Sequence, residues 1–379
     1  MEARALTRLI VTIALTAGGL SVAQAGNWQE FRVYPTSQSQ QNPDIWGNIV
    51  VWQQYISGDW DIYGADITNR QSPSVFSIAA FADDQTEPAV YGDIVVWQDY
   101  VSPDWGIYGV DLQNPTDIFT VADYDYDQIR PAIYENIVVW QDNYYGDWDI
   151  YAADITVHNN PIEVLVTPFE GHQQLPNIYQ DTVVWQDGNA GEFDIYTTNI
   201  ADFDNLVHHL VVGFDANQQT PAISGTTVVW SDDFWGDDDI FAADITEPAR
   251  PIDFAVTMQS SDESNPDIDG YIIVWQDDRY GDWDIFGYNL TTGREFLITD
   301  EPHNQINPAI NGNLVVWQDD RTGTWNIYAV ELSGPEFAQC TSRPEGDLNG
   351  DCQVDMRDFA IMASHWLDCN LDPQGNCGQ

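Results

Sequence analysis

The hydrophobic and polar positions of this chain fall into a pattern that repeats along most of its length. A β-branched run ending in tryptophan, such as Ile137-Val-Val-Trp140, occurs seven times. Its tryptophans are Trp52, Trp97, Trp140, Trp185, Trp230, Trp275 and Trp317, at spacings of 45, 43, 45, 45, 45 and 42 residues. A proline lies nine residues before each, from Pro43 to Pro308, and an isoleucine ten residues after, from Ile62 to Ile327. Such a period marks a repeat architecture. Each unit reads as four short strands. The first starts at the proline (Pro131–Tyr134), a turn residue follows, and the second ends at the tryptophan. A polar stretch leads to the third (Asp149–Ile155), and the fourth is Ile162–Val166. Four strands in about 45 residues is the size of one propeller blade.

The two ends of the repeat region imply a closed ring. The seventh unit stops after its third strand, at Leu332, and an unpaired strand, Glu30–Tyr34, precedes the first unit at the expected start of the mature chain. The segment Glu30–Pro43 has the same length as Glu295–Pro308 and parallels it. The N-terminal strand is therefore expected to complete the last blade and cover an edge that would otherwise invite aggregation. The expected fold is all-β, a seven-bladed propeller over residues 26–332 closed by its N-terminal strand. A small calcium-loop and helix module follows over residues 346–379, after a linker at 333–345.

The repeat Pro-x-Ile-x-Gly-x-x-Val-Val-Trp followed by Asp-Ile-Tyr-x-x-Asp-Ile resembles the TolB-type β-propeller repeat over roughly residues 27–332. Where that family carries Ser-Pro-Asp-Gly, this chain has only x-x-Gly or similar. The resemblance implies a fold and leaves function open, because propellers host many functions.

Charge narrows the partners. Of 379 residues, 61 are acidic and 11 basic, for a net charge of -50; every basic residue is arginine. Nucleic acid and anionic membranes are repelled. The acid either keeps an exported protein soluble or serves to bind cations. Residues 1–25 read as a secretory signal: Arg4 and Arg8, the apolar stretch Leu9–Leu15, and Ala23-Gln-Ala25 as the cleavage site. No apolar run is long enough to span a bilayer. The expected address is secreted, extracellular or cell surface, as a monomer.

All four cysteines lie in the tail, at Cys340, Cys352, Cys369 and Cys377. An even number in an oxidising compartment points to two disulfides. Three pairings are open, and nesting favours Cys352–Cys369 inside Cys340–Cys377. Zinc is the alternative, without a Cys-x-x-Cys spacing to support it.

The same tail carries the clearest metal signal. From Asp347, oxygen ligands fall at loop positions 1, 3, 5, 9 and 12: Asp347, Asn349, Asp351, Asp355 and Asp358, with the backbone carbonyl of Gln353 at position 7. A hard cation takes six or seven oxygens, so calcium is the expected cofactor. The segment resembles a dockerin repeat, in which Asp at position 12 is usual. It departs from EF-hands in carrying Cys352 at position 6. Phe359, Met362 and Trp366 form an apolar stripe on the following helix. The resemblance implies a cohesin-like or cell-surface partner, although only one unit is intact: Asp368, Asn370 and Asp372 begin a second, which Pro373 interrupts.

On the propeller, one face gathers the loops between strands two and three and those between blades. An acid follows most repeat tryptophans by two residues: Asp99, Asp142, Asp187, Asp232, Asp277 and Asp319, with Gln54 in the first blade. Aromatics follow at Trp60, Trp105, Trp148, Phe193, Trp283 and Trp325. The interblade loop contributes Gln40, Gln85, Gln128, Gln173, Gln218, Glu263 and Gln305. One reading is a polar ring at the channel mouth, rimmed by rings that stack on polysaccharide; the other is that these residues hold the blades together.

No catalytic residue stands out. Asp278–Trp283 resembles the Asp-box of sialidase propellers, but the spacing is wrong and the arginine cluster is missing. His158, His172, His208, His209 and His303 share no metal-ligand spacing. His172 and His303 sit near the glutamine positions. The expected function is a binding or structural module. The alternative is a polysaccharide lyase or glycoside hydrolase delivered by its dockerin, and a periplasmic translocation component like TolB fits the tail poorly.

Overall fold

A computed structural model of the protein describes residues 28–158, 160–188, 191–334 and 337. Among them are seven four-stranded antiparallel sheets and no α-helix. In the first six blades the strands follow chain order outward from the central axis. The seventh is composite: Phe31–Arg32 pairs with Asn326–Glu331, which pairs with Leu314–Asp319 and then Gln305–Asn311. Phe31 lies opposite Ala329 and Arg32 opposite Tyr328, and Val33 N–H donates to the Ile327 carbonyl at 2.9 Å. The N-terminal strand thus closes the ring.

Seven hydrophobic clusters fill the seven seams between neighbouring blades. Every repeat tryptophan is wholly buried there. Trp140, for example, stacks on Tyr151 at 6.0 Å and Trp275 on Phe286 at 6.2 Å. An isolated blade would leave both faces of its sheet wet; a ring buries both against neighbours.

The innermost strand starts earlier than the proline suggests. It runs Gln40–Trp46, Gln85–Tyr91, Gln128–Tyr134, Gln173–Tyr179, Gln218–Ser224, Glu263–Asp269 and Gln305–Asn311 in blades one to seven. The residue before each proline is a bulge with positive φ, near 50°: Asn42, Glu87, Arg130, Leu175, Thr220, Asn265 and Asn307. The ladder register shifts across it. Proline interrupts a ladder rather than beginning one, so the strand continues through it on the other side of a bulge. The glutamine positions expected in the interblade loops are therefore the first residues of the inner strands.

Left-handed backbone at non-glycine residues is costly, on the order of 1–2 kcal/mol each. A repeated bond offsets it. The glutamine after the repeat tryptophan reaches the next blade and accepts the bulge N–H. Gln53 takes Glu87 at 3.0 Å, Gln98 takes Arg130 at 2.9 Å and Gln141 takes Leu175 at 3.0 Å. Gln186 takes Thr220 at 3.1 Å, Gln276 takes Asn307 at 3.0 Å and Gln318 takes Asn42 at 2.9 Å. The remaining seam differs: blade five has Ser231, whose hydroxyl bonds Thr220 and the Gln219 carbonyl instead.

Candidate functional site

The loop face is built by side chains that staple hairpins to interblade loops. Asp142, Asp232, Asp277 and Asp319 each accept the N–H two residues on, at 2.8 to 2.9 Å, and so shape the hairpin. The interblade residue before the glutamine position accepts the aromatic N–H of the preceding blade: Asp84 from Trp60, Asp127 from Trp105, and Asn217 from Phe193. The six aromatics from Trp60 to Trp325 are half-buried.

All seven residues of the glutamine ring are wholly buried, at 0 % exposure. They do not open onto solvent at the channel mouth. Gln128 accepts from Tyr124 N–H and donates to the Tyr126 carbonyl, at 3.0 and 2.8 Å. Gln85 repeats this with Phe81 and Asp83, and Gln218 with Phe214 and Ala216. Gln305 donates to the His303 carbonyl, and Gln40 binds Gln54 and the Ile327 N–H. For Gln173 neither amide atom has a hydrogen-bond partner.

Glu263 is the carboxyl in this ring. Burial pushes its pKa up to about 8, and the nearby charges of Asp277 and Asp239 push the same way, against the Ser261 and Thr257 hydroxyls. Ser261 donates to it at 2.6 Å. Glu263 Oε2 and Asp239 Oδ1 are both buried with no donor, while Asp239 lies within hydrogen-bonding reach of Glu263. A proton on Glu263 satisfies both. This bond differs from those of Gln85, Gln128, Gln218 and Gln305, whose amides donate to the carbonyl two residues upstream.

Blades six and seven carry Arg279 and Arg321 on this face. Arg321 bridges buried Asp319 and Glu30, the latter at 2.8 Å, and lies 4.4 Å over the Tyr328 ring. Arg279 bridges Asp277 and Glu295 over Phe286. Both guanidinium groups are already matched to carboxylates, so neither forms an anion site.

Exposed aromatics remain. In blade three Tyr124, Tyr126, Tyr144 and Tyr145 stand 50 to 64 % exposed. Tyr126 meets Tyr144 edge-on at 5.6 Å, Tyr144 meets Tyr145 at 4.9 Å, and the Tyr124 hydroxyl donates to Glu163 at 2.6 Å. These rings are not fixed by the repeat. They vary from blade to blade.

A second site is the central channel, a cavity of about 840 Å³ lined by the inner strands. Alternation puts three residues of each strand on its wall. The bulge tier forms a hydrogen-bonded belt: Asn265 donates to Asn307, Asn307 to Asn42 and Asn42 to Glu87, which pairs with Arg130 at 3.6 Å. The middle tier is alanine in four blades, with Asn177 in blade four and Asp44 and Asp267 in blades one and six. The third tier splits in two. Blades one to four give Trp46, Tyr91, Tyr134 and Tyr179; blades five to seven give Ser224, Asp269 and Asn311. The spacing of insertions and histidines does not reveal this. The signal is the set of positions that change from repeat to repeat while their neighbours stay constant.

His172 Nδ1 accepts the Trp148 N–H at 3.3 Å, and His303 N–H donates to Asp282. Among the described residues no group of three or more His, Cys, Asp or Glu side chains is placed to hold a metal ion, and no helix is long and apolar enough to cross a membrane. The calcium ligands Asp347 to Asp358 and the four cysteines lie outside the described residues, as does the signal segment.

No protein-family model and no curated protein matches the chain. Solved structures do. A puromycin-hydrolyzing peptidase of Mycobacterium tuberculosis aligns with a TM-score of 0.58 and 12 % identity, over 78 % of this chain and only 52 % of its own. The propeller domain of the Trilobed protease from Pyrococcus furiosus gives 0.58 at 9 % identity, over 80 % of this chain and 99 % of the domain. That domain has an open velcro topology; here the last blade is composite. An oligogalacturonate lyase from Vibrio parahaemolyticus gives 0.58 at 11 % identity, over 82 % and 98 %. At such identities the likeness is one of fold: the chain is a seven-bladed β-propeller, similar in architecture to these peptidase and lyase structures.

Proposed function

We propose that the protein is an exported, non-catalytic binding module. Its loop face takes uncharged polysaccharide, and its calcium-dependent, dockerin-like tail attaches it to a cohesin-like or cell-surface partner. The observation that carries the reading is the blade-three tyrosine cluster. Exposed rings are the surfaces on which sugar C–H faces stack. Tyr126, Tyr144 and Tyr145 form such a platform, with the Glu163 carboxylate beside Tyr124 to accept sugar hydroxyls. The net charge of -50 selects against polyanions such as polygalacturonate. The tail reading rests on the oxygen alternation from Asp347 to Asp358.

Affinity electrophoresis through gels cast with a neutral β-glucan, a neutral xylan or polygalacturonate tests this. Retardation is expected in a neutral gel and not in polygalacturonate. Tyr144→Ala with Tyr145→Ala should abolish it while leaving the melting temperature unchanged. Equal mobility in every gel, or retardation that survives the double substitution, refutes the reading.

A further inference from the structure

The central channel has a wall of one chemistry facing a wall of another. On blades one to four the rings overlap like tiles: Trp46 lies 3.9 Å from Tyr91, Tyr91 4.5 Å from Tyr134, and Tyr134 4.9 Å from Tyr179. On the other side blade six gives Asp267 and Asp269, and Asp44 lies one tier from Trp46 on the strand of blade one; all three are half-buried. Each holds its shape through backbone bonds across a seam. Asp44 accepts Val90 N–H at 2.7 Å, Asp267 accepts Ile310 N–H at 2.8 Å, and Asp269 accepts Gly312 N–H at 2.6 Å. The second oxygen of each is also engaged, by Ile45 N–H at 2.8 Å, Ile268 N–H at 2.9 Å and the Ser224 hydroxyl at 3.5 Å; a carboxylate oxygen has two acceptor sites, so each still has one for a ligand. Among the described lining residues Arg130 is the one basic side chain, and it sits in the bulge tier against Glu87.

These carboxylates brace three seams, but four blades carry alanine in the middle tier, so the charges at Asp44 and Asp267 are not a requirement of the repeat. Nor are four successive large rings: blades five to seven manage with serine, aspartate and asparagine. The two departures face one cavity.

We infer that the channel binds a small organic ammonium ion with an apolar body, the body lying on the Trp46–Tyr179 wall and the charged nitrogen directed at Asp44, Asp267 and Asp269. Aromatic faces attract such cations, more strongly in a partly desolvated site, and the carboxylates accept the N–H bonds. A sugar would stack on the rings and donate hydroxyls to the carboxylates, but it brings no positive charge to offset three of one sign. An anion is repelled. Burial lifts Asp44 to about 6 and Asp267 to about 7. An ammonium ion stays charged through that range, so occupancy should improve from pH 5 to pH 8 as these groups ionise.

Calorimetry on the whole protein in 0.15 M salt, with phenethylammonium as probe and 2-phenylethanol as its uncharged counterpart, is the test. Saturable binding at one ion per chain is expected, at least about tenfold tighter at pH 8 than at pH 5, with no heat from the alcohol. Asp267→Asn keeps one of the two backbone acceptors and removes the charge; it should weaken binding at least about tenfold. If that variant unfolds, Asp269→Asn provides the same comparison from the third tier. The loop-face variant Asp278→Asn should bind as the parent does. No binding at millimolar probe, equal binding of the alcohol, or many weak sites insensitive to the channel variants would overturn the assignment.

Discussion

Replacing Glu263 by glutamine isolates one buried carboxyl and yields a stability effect whose sign depends on pH. In the folded protein Glu263 is wholly buried and its pKa is raised from 4.5 to about 8, by burial first. The folded state therefore holds a proton that the unfolded chain releases. Below pH 4.5 both states are protonated and nothing is lost. Between 4.5 and 8 the unfolded state gains by ionising, so folding stability falls as pH rises, and the loss is complete above 8. Taking the two values at face, the loss is roughly 1 kcal/mol at pH 5 and about 4 kcal/mol at pH 8. Glutamine cannot ionise and gives Asp239 the donor that the protonated carboxyl supplies. Other raised carboxyls, such as Asp267 and Asp284, make the parent protein itself pH-sensitive. The informative quantity is thus the difference between parent and variant. Urea unfolding at pH 5, 6.5 and 8 should show Glu263→Gln gaining on the parent by about 3 kcal/mol from the lowest pH to the highest. A difference that stays constant with pH would mean that Glu263 is ionised in the fold, and the proposed proton between it and Asp239 would be wrong.

Three further outcomes follow from the packing and the tail. Ser231→Gln should restore the one interblade bond the repeat lacks, to Asn265 N–H, and raise stability by about 1 kcal/mol in urea unfolding; no gain would show that the seam is satisfied otherwise. Removing residues 28–34 takes away the pairing of Phe31 and Arg32 and the Glu30–Arg321 bridge. It leaves Asn326–Glu331 as a bare edge, so light scattering should report aggregation and the melting temperature should fall by many degrees; an unchanged melt would refute closure through that strand. In the tail, Asp351→Ala should abolish calcium-dependent heat in calorimetry of the intact protein while the propeller melts as before, and an equal calcium response would remove the loop assignment.

Much of this molecule was legible in the chain because each blade is specified locally. Alternation of Val-Val-Trp runs with turn residues sets strand and face, and a fixed period makes the same solution repeat seven times. The missing fourth strand at Leu332 and the orphan at Glu30 announced the closure. What the chain alone did not yield were facts that depend on the space between blades. A proline read as a strand start is the far side of a bulge, because the left-handed residue before it finds its acceptor on a glutamine 31 to 34 residues earlier, or across the ring closure for Asn42. The glutamine positions looked like a polar ring at a mouth, yet the bulge moves them into the sheet, where neighbouring blades cover them. Whether a repeated polar residue faces water or a seam is decided by the neighbouring blade, which no local pattern encodes. The channel wall is the converse case. Its residues lie 42 to 45 positions apart and only closure of the ring sets Trp46 and Tyr179 across from Asp267 and Asp269, turning scattered exceptions to a repeat into one cavity.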